Sequence, residues 1–369
     1  MIQQAARDFA QQELKPGVIE RDEHQKFPAE QVKKLGELGF LGMMVDEKYH
    51  GSGLDALSYV LVMEELSKID ASASVVVSVN NSLVCYGLEA YGTEAQKEKY
   101  LKPLASGEQI GAFCLSEPEA GSDATSQQTT AEDKGDYYLL NGTKNWITNG
   151  STASVYLVIA QTDRSLKHRG INAFIVEKGM EGFTVGPKEN KLGIRGSDTH
   201  SLMFIDVKVP KENRIGEDGF GFKFAMKTLE GGRIGIAAQA LGIAAGAYEI
   251  ALEYAKQRKS FGKPIADHQA IAFKLADMAT QIEAARMLVY KAAWLKDQGQ
   301  PYTLAGSMAK LYASKVAMDV TVEAVQIHGG NGFVKEYHVE RLMRDAKITQ
   351  IYEGTSEIQK MVISREVLR

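Results

Sequence analysis

Apolar residues recur at helical spacing from the N-terminus to about residue 110. Prolines stand where helices permit them, since Pro16 follows the first apolar pattern and Pro28 opens the second at a favoured first-turn position. The stretch 71–91 is apolar on most of its sides, which is typical of a buried helix. We therefore predict helices over 1–14, 28–39, 55–69 and 71–91, followed by a short helix with a capping box at Thr93 and Gln96.

Between Ile110 and Pro210 the helical period gives way to short runs rich in β-branched and aromatic residues, which turn residues separate. Asn141-Gly142 has the sequence of a tight hairpin turn. These features predict a compact antiparallel sheet or barrel. Its strands are predicted over 112–116, 137–140, 145–148, 155–161, 173–176 and 202–207.

The helical period returns after Gly219 and continues to the C-terminus. Long helices are predicted over 220–257, 267–297 and 304–328, and long helices joined by short loops are typical of a bundle. The glycines from Gly329 to Gly332 end the last of them. The chain is thus predicted to be an α+β protein with a helical domain over 1–109, a β-domain over 110–215 and a helical bundle over 216–369.

Composition narrows the function classes. The length of 369 residues suggests two or three domains, and the 44% apolar share is ordinary for a globular protein. Acidic and basic residues are mixed, 47 against 43, which disfavours a nucleic-acid surface. No run of 18 apolar residues occurs, so we expect no membrane span, and the cysteines Cys85 and Cys114 have no metal-ligand spacing. Two distant cysteines fit a reducing compartment.

Gly51-Ser52-Gly53-Leu54-Asp55-Ala56 matches the dinucleotide fingerprint G-x-G-x-x-G/A. The fingerprint requires a strand directly before it and a βαβ unit around it, and neither is predicted here. We therefore expect a loop at this position and no dinucleotide site.

The stretch from Ile351 to Gln359 carries the most suggestive chemistry. Glu353 stands between an aromatic residue and Gly354, and burial beside an aromatic ring raises the pKa of a carboxyl towards the range of a general base. The alternative is that Glu353 lies in the first turn of a helix beginning near Ser356, where the helix dipole favours acids.

Four further stretches combine small residues with polar groups. Cys114–Asp123 runs from a strand into a Gly- and Ser-containing loop, which suits a flat or anionic ligand or is an ordinary strand exit. In 141–150, Trp146 and Thr148 share a strand face and could contact an aromatic ring system, unless the tryptophan belongs to the core. An arginine follows two glycines in 231–242. Arg258–Gln269 suits phosphate or is a solvated helix end.

Together with Gln326-Ile327-His328-Gly329-Gly330, these stretches resemble the acyl-CoA dehydrogenase family in their order and spacing. The resemblance covers essentially the whole chain. It is closest to short-chain (butyryl-CoA) members in 231–242 and 345–359. The family fold is an N-terminal α-helical domain, a middle antiparallel β-barrel and a C-terminal four-helix bundle, in agreement with the order predicted from periodicity.

The resemblance implies non-covalently bound FAD. Thr148 is expected to hydrogen-bond the flavin nitrogen that accepts hydride, and Thr355 and Glu357 to reach the ribityl or pyrophosphate part. The residues matching the family's flavin-contacting positions are Phe113, Leu115, Ser116, Ser122, Trp146, Ile147 and Thr148. Those matching the positions that contact the FAD of a neighbouring subunit are Arg258, Ser260, Phe261, His268, Gln269, Gln326, Gly329 and Gly330. The resemblance therefore also implies a homotetramer.

For the substrate, the resemblance implies an acyl-CoA thioester that is dehydrogenated between its α- and β-carbons. Glu353 is the expected base for the α-proton, with its own backbone N–H stabilising the enolate. Isovaleryl-type and long-chain members carry the base at the position of Gly232, which cannot supply one here. The expected substrate contacts are Ser122, Ser197, Glu230, Arg233, Tyr352 and Gly354.

The resemblance also implies electron-transfer flavoprotein as acceptor, and a location in the bacterial cytoplasm or, for a eukaryotic mature chain, the mitochondrial matrix. Ser74 falls where glutaryl-type members carry an arginine, which argues against a dicarboxylate substrate. Alternatives are a medium-chain or 2-methyl-branched dehydrogenase, a flavin oxidase such as an acyl-CoA oxidase or a nitroalkane oxidase, and a non-catalytic, nucleic-acid-associated relative.

Overall fold

The structure, a computed structural model, describes residues 1–369. Helices occupy the first third of the chain, strands the middle and helices the remainder, as predicted. The N-terminal helices are α1 (Ile2–Phe9), α2 (Val18–Glu23), α3 (Ala29–Glu37), α4 (Ala56–Ser67), α5 (Ala71–Ser78), α6 (Tyr86–Tyr91), α7 (Glu94–Gln96) and α8 (Lys102–Ala105). A π-helical segment, Val79–Cys85, joins α5 to α6, so that 71–91 is one continuous buried helix.

The middle of the chain forms an eight-stranded sheet with the order β6-β7-β3-β2-β4-β5-β8, and β1 pairs with β4. Most pairs are antiparallel, but β1 and β2 each run parallel to β4. The strands are β1 (Gly111–Cys114), β2 (Thr130–Asp133), β3 (Tyr137–Thr148), β4 (Val155–Gln161), β5 (Ile171–Glu177), β6 (Phe183–Lys188), β7 (Thr199–Pro210) and β8 (Arg214–Ile215).

The predicted hairpin turn at Asn141-Gly142 is wrong. Strand β3 continues through both residues and pairs with β7, and the register shifts between Leu140 and Gly142. Gly142 has a φ of 148°, and a Cβ atom there would lie 2.6 Å from the Cα of Thr129. The glycine therefore serves a bulge and a close approach of two backbones.

Two short strands, β9 (Lys259–Ser260) and β10 (Lys263–Pro264), stand between the first two long helices of the C-terminal part. Its helices are α9 (Gly221–Gln257), α10 (Gln269–Asp297), α11 (Thr303–His328), α12 (His338–Ile348) and α13 (Ser356–Val367). Arg233 bonds Ser307 near the start of α9 and α11, and the Tyr254 and His328 rings stack 4.1 Å apart near their ends. The two helices therefore run in the same direction.

Helix α9 is the centre of the largest core cluster because it presents small residues to its neighbours. A Cβ at Gly235 would lie 2.4 Å from the Tyr59 hydroxyl, and one at Gly242 would lie 2.4 Å from the Glu64 carbonyl. Further along, Gly246 faces the Lys68 carbonyl at 2.3 Å. Helices α4 and α9 therefore touch backbone to backbone.

Residues 51–55 of the Gly51–Ala56 stretch are a loop, as expected, and Ala56 begins α4. It follows a single 3₁₀ turn at Glu47–Tyr49, and no strand precedes it. A Cβ at Gly51 would lie 2.1 Å from the Val45 carbonyl, so this glycine has a packing reason.

Two helical stretches, Ala71–Tyr91 and Gly221–Gln257, are long and apolar enough to cross a membrane. In the fold 94% and 83% of their most apolar windows are buried, which is the situation of core helices.

We predict that Gly242→Ala destabilises the fold by about 1–3 kcal/mol, because the added methyl group overlaps backbone of α4. The matched control is Gly306→Ala in α11, where a Cβ meets nothing closer than 3.7 Å. That control is expected to be neutral or stabilising, since alanine favours helix. Thermal unfolding followed by circular dichroism measures both, and equal melting temperatures for the two variants would contradict the packing argument.

Candidate active site

The backbone around Glu353 is strained. Glu353 has a φ of 52° and Gly354 a φ of 94°, in the connection between α12 and α13. A non-glycine residue in the left-handed region costs free energy and persists only where its surroundings hold it, often at functional sites. Helix α13 begins at Ser356 with Thr355 as its N-cap, so the alternative of Glu353 in a first helical turn is wrong.

Side chains from three helices hold this connection. The Lys310 ammonium donates to the Gly354 carbonyl at 2.6 Å, and the Gln359 amide donates to the same oxygen at 3.0 Å. The Tyr352 hydroxyl donates to the amide oxygen of Gln239 on α9. Gln239 in turn donates to Ser74 on α5 at 3.1 Å. The loop carrying Glu353 is thus fixed on both sides of the carboxylate.

The Glu353 carboxylate points at Gly232. A Cβ there would lie 2.1 Å from Glu353 Oε2 and 2.8 Å from a methyl group of Leu83. Glu353 Oε2 is buried without a hydrogen-bond partner. Burial raises the pKa of Glu353 to about 7, although the nearby Lys310 and Arg233 cations act in the opposite direction. The carboxylate is therefore close to a balance between its two protonation states at neutral pH.

Backbone donors adjoin this carboxylate. The N–H groups of Glu353, Gly354 and Thr355 make no hydrogen bond within the chain. Unpaired N–H groups beside an unpaired carboxylate suit an anionic or polarised oxygen of a ligand.

Charged groups on α9 complete this part of the site. Arg233 is buried, donates only one long hydrogen bond, to Ser307 at 3.4 Å, and leaves its Nε without a partner. Burial lowers its pKa, and the carboxylates of Glu230 and Glu353 oppose the effect. Glu230 accepts from Thr303 at 3.1 Å. The structure thus brings four of the predicted substrate residues together, namely Glu230, Arg233, Tyr352 and Gly354.

The two predicted serine contacts differ from each other. Ser122 is exposed on the loop that follows β1. Ser197 is fully buried, with its Oγ unpartnered, so its hydroxyl is not on the surface of the chain. The contact between Ser197 and the substrate stays a prediction, and it requires that the residues covering the Ser197 hydroxyl move.

The predicted flavin-contacting residues of the β-domain fall on β1, the loop after it and β3. Asn145 N–H donates to the Ser116 carbonyl at 2.8 Å, which places the two segments side by side. Trp146 has a φ of 57° and is 60% exposed, so the alternative of a core tryptophan is wrong. Ile147 is buried in the sheet core, so only its backbone could face a cofactor.

A buried ion pair holds the loop that follows β1. Lys144 and Glu117 are 0% and 1% exposed and lie 2.6 Å apart. Lys144 also donates to the Leu115 carbonyl at 3.1 Å, and Glu117 accepts from the backbone N–H of Thr129. The pair thereby fixes both ends of the loop that contains Ser116 and Ser122.

The remaining predicted cofactor residues lie in two other places. Thr355 and Glu357 line a cavity of about 790 Å³ between α11 and α13. Arg258 lies 26 residues after Gly232, at the end of α9, which is about 39 Å along a helix. The other members of its group adjoin Arg258 or lie around the end of α11, on either side of His328, which stacks on Tyr254. One chain therefore cannot bring this second group to its own Glu353.

An exposed aromatic ring marks that distant end. Phe261 is 96% exposed with a φ of 51°, and no core residue covers it. His268 hydrogen-bonds Ser260 at 3.3 Å and stands edge-on to Phe261. Ser260, Phe261 and His268 therefore already contact one another on the surface of a single chain.

The residues present fit a flavin nucleotide. An exposed indole, the hydroxyls of Ser116 and Thr148, and the free N–H groups before α13 offer a stacking surface and hydrogen-bond donors.

Sequence reasoning missed Lys310 and Gln239. Lys310 is fully buried on the small-residue face of α11 that includes Gly306 and Ala313. Its position on that face at helical spacing was the available signal. Gln239 is a lone amide among small apolar residues of α9, and its tertiary partners could not be read from the sequence.

Three family models match the chain in order. They are the N-terminal domain of acyl-CoA dehydrogenase over residues 1–108, its middle domain over 112–207 and its C-terminal domain over 219–368. The chain belongs to the acyl-CoA dehydrogenase family, which is FAD-dependent. The fold predicted from the sequence is thereby confirmed.

Relatives extend over nearly the full chain. The short-chain specific acyl-CoA dehydrogenase of Clostridium acetobutylicum is 53% identical over 100% of this chain and 97% of its own length. That of Megasphaera elsdenii is 55% identical over 99% and 96%. The mitochondrial short-chain specific enzyme of Bos taurus is 52% identical over 100% and 90%.

Solved structures agree with this. Butyryl-CoA dehydrogenase from Megasphaera elsdenii superposes with a TM-score of 0.98 at 55% identity, covering 100% of this chain and 98% of that one. A chain from the structure of the electron transferring flavoprotein of Acidaminococcus fermentans gives a TM-score of 0.99 at 54% identity, covering 100% and 97%.

We predict that Gly232→Ala lowers turnover by about 100-fold, because its methyl group displaces the Glu353 carboxylate and small misplacements of reacting groups have such costs. The neighbouring Gly231→Ala is the control, since a Cβ there meets nothing within 3.7 Å. Steady-state kinetics and flavin absorbance of both variants provide the measurement. Equal activity would show that Gly232 does not define the position of the carboxylate.

Proposed function

We propose that this protein catalyses the flavin-dependent α,β-dehydrogenation of short-chain acyl-CoA thioesters, butyryl-CoA to crotonyl-CoA, and passes the electrons to electron-transfer flavoprotein. The observation that carries the proposal is the buried, unpartnered Glu353 carboxylate facing Gly232. The short-chain and butyryl-CoA specificity of the relatives supports the substrate, and the neighbouring structure of an electron transferring flavoprotein supports the acceptor.

Glu353 acts as the general base. Its ionised carboxylate takes the α-proton of the thioester, and a pKa of about 7 keeps much of it ionised at neutral pH while leaving it basic enough for the transfer. The free backbone N–H of Glu353 donates to the thioester oxygen, on which negative charge develops. When bound, FAD supplies the acceptor for the β-hydride. Trp146, Thr148 and Ser116 would hold its ring, and Thr355 and Glu357 would hold its ribityl or pyrophosphate part.

The same proposal includes a homotetramer with shared FAD sites. The group around Arg258 lies too far from Glu353 to serve it within one chain, and Phe261 is bare on the surface. Both features fit a group that completes the site of another copy. We place the protein in the cytoplasm of a bacterium or, for a eukaryotic mature chain, in the mitochondrial matrix, and divide it at 1–109, 110–215 and 216–369.

The region around Ser74 disfavours a distal carboxylate on the substrate. A glutaryl-CoA dehydrogenase also superposes on the chain, with 37% identity and a TM-score of 0.97. Here Ser74 is fully buried and hydrogen-bonded to Gln239, and Val75, Val79 and Leu83 nearby belong to an apolar cluster. Ser74 supplies no cation for such a carboxylate, and burying an unpaired carboxylate is costly. A saturated chain fits this environment better.

The test of the proposal is the visible spectrum of the purified protein before and after anaerobic addition of butyryl-CoA. Immediate bleaching of flavin absorbance is expected. Bleaching only by octanoyl-CoA or 2-methylbutyryl-CoA would keep the reaction and overturn the substrate. Rapid reoxidation of the bleached flavin by oxygen would indicate an oxidase, and no bleaching by any acyl-CoA would refute the dehydrogenase.

We predict that Glu353→Gln retains FAD and binds acyl-CoA but loses turnover by several orders of magnitude, since the amide cannot accept the α-proton. Glu366 of the following helix α13, a partly exposed carboxylate that pairs with Arg369, is changed to Gln as the matched control and is expected to retain activity. Stopped-flow flavin reduction measures both. Turnover near that of the unmodified protein would remove Glu353 from the role of base.

We predict that Arg258→Ala lowers FAD occupancy, because a cation that suits the cofactor's phosphates is removed. The adjacent exposed residue Lys259, changed to Ala, controls for the loss of a nearby positive charge. The ratio of flavin absorbance to protein absorbance after gel filtration gives the occupancy, and the elution volume gives the assembly. Full occupancy in an intact tetramer would count against the shared site.

A further inference from the structure

Lys310 is a buried cation without a carboxylate partner. It is fully buried on α11, and its only hydrogen bond is the one to the Gly354 carbonyl at 2.6 Å. A buried lysine or arginine is costly unless it is paired, as Lys144 is with Glu117. A buried ammonium that contacts a carbonyl beside an unpartnered carboxylate therefore calls for a functional explanation.

We propose that Lys310 is a positioning residue for the general base: it fixes the Gly354 carbonyl and its charge favours the ionised form of the Glu353 carboxylate. The proposal rests on the proposed function, in which Glu353 takes the α-proton. The mechanical part follows from the backbone. Gly354 has a left-handed φ, and its carbonyl stays in place because Lys310 and Gln359 both donate to it.

The electrostatic part follows from the groups that face Glu353. Helix α11 contributes Lys310, helix α9 contributes Arg233 and Glu230, and helix α4 contributes the Tyr59 hydroxyl. The segment itself adds Tyr352 and Glu357, and Glu357 is exposed. Among these groups only Lys310 and Arg233 are cations, and Arg233 is offset by Glu230, whose negative charge acts on it. Lys310 makes no ion pair, and the acids whose charges act on it are Glu353 and, more weakly, the exposed Glu357.

The effect is reciprocal. Burial lowers the pKa of Lys310 to about 8, and the charge of Glu353 opposes that change. Burial raises the pKa of Glu353, and Lys310 is the strongest group acting against it. A bound acyl chain removes further water from the carboxylate, which shifts it towards the protonated, inactive form. Lys310 keeps the base ionised under those conditions.

The variants that separate the two roles are Lys310→Met, Lys310→Gln and Lys310→Arg. Methionine removes both charge and donor, glutamine keeps an N–H donor without charge, and arginine keeps both. Lys291→Met, at an exposed position of α10, is the control for loss of a lysine. Infrared difference spectra of the holoenzyme between pH 5 and 10 follow the carboxyl band of Glu353, and its absence in Glu353→Gln assigns the band.

The midpoint of this band is expected to rise by about 1–3 pH units in Lys310→Met and Lys310→Gln, the size of an effect from one close opposite charge. Lys310→Arg and Lys291→Met should keep the midpoint of the unmodified protein. The acid limb of kcat/KM should move with the band, so that activity lost at pH 7 returns at pH 9. A purely structural defect would not return with pH.

An unchanged midpoint in Lys310→Gln overturns the electrostatic role, and if Lys310→Met fails to fold, the glutamine variant alone decides. A raised midpoint with lost activity at every pH overturns the role in catalysis. The titration does not depend on turnover. Failure of the unmodified protein to oxidise any acyl-CoA would therefore refute the proposed function while the band still reports whether Lys310 controls Glu353.

Discussion

The close packing of α9 against its neighbours is the constraint on which the rest of the structure depends. Glycines replace side chains where α4 crosses the helix, at Gly235, Gly242 and Gly246, and where the Glu353 loop meets it, at Gly232. Backbone contact at Gly242 and Gly246, and the Tyr59 hydroxyl at Gly235, fix the helix in the core. The position of Gly232, and with it the space left for the carboxylate, follows from that packing.

At Glu353 the effect of burial on the carboxylate is opposed by the effect of nearby positive charges. The loop that carries Glu353 is held by neutral amides and one ammonium, so the carboxylate itself needs no hydrogen bond to stay in place. An unpartnered buried carboxylate would ordinarily be protonated at neutral pH. Arg233 and Lys310 reduce that tendency without touching the oxygens that must accept a proton.

Local patterns in the sequence predicted the long elements well and the short ones poorly. Strand β4 and helix α9 follow from apolar runs that periodicity alone defines, and the structure places them within a residue of the prediction. Strands β2 and β6 were missed because they are short and their residues are mostly not buried. The hairpin turn at Asn141-Gly142 was wrongly predicted because the glycine is required by the close approach of Thr129. A two-residue turn motif carries no information about a contact with another segment.

For the site, the sequence showed which residues carry chemistry but not how they are held. The role of Glu353 as a base could be inferred only from the combination of motifs along the whole chain. Its left-handed φ was not predicted. The supporting Lys310 and Gln239 act through contacts between segments far apart in the chain, which no local pattern encodes.

The contact between Gly232 and Glu353 also bears on how such chains diverge. A side chain growing from position 232 would enter the volume that the Glu353 carboxylate occupies, so the two positions address one point in space. An acid could therefore move from one segment to the other during evolution while the geometry of the reaction stayed constant. A sequence alignment compares each position only with its counterpart. It would then indicate that a catalytic acid had been lost, although the acid had only moved to another position of the chain.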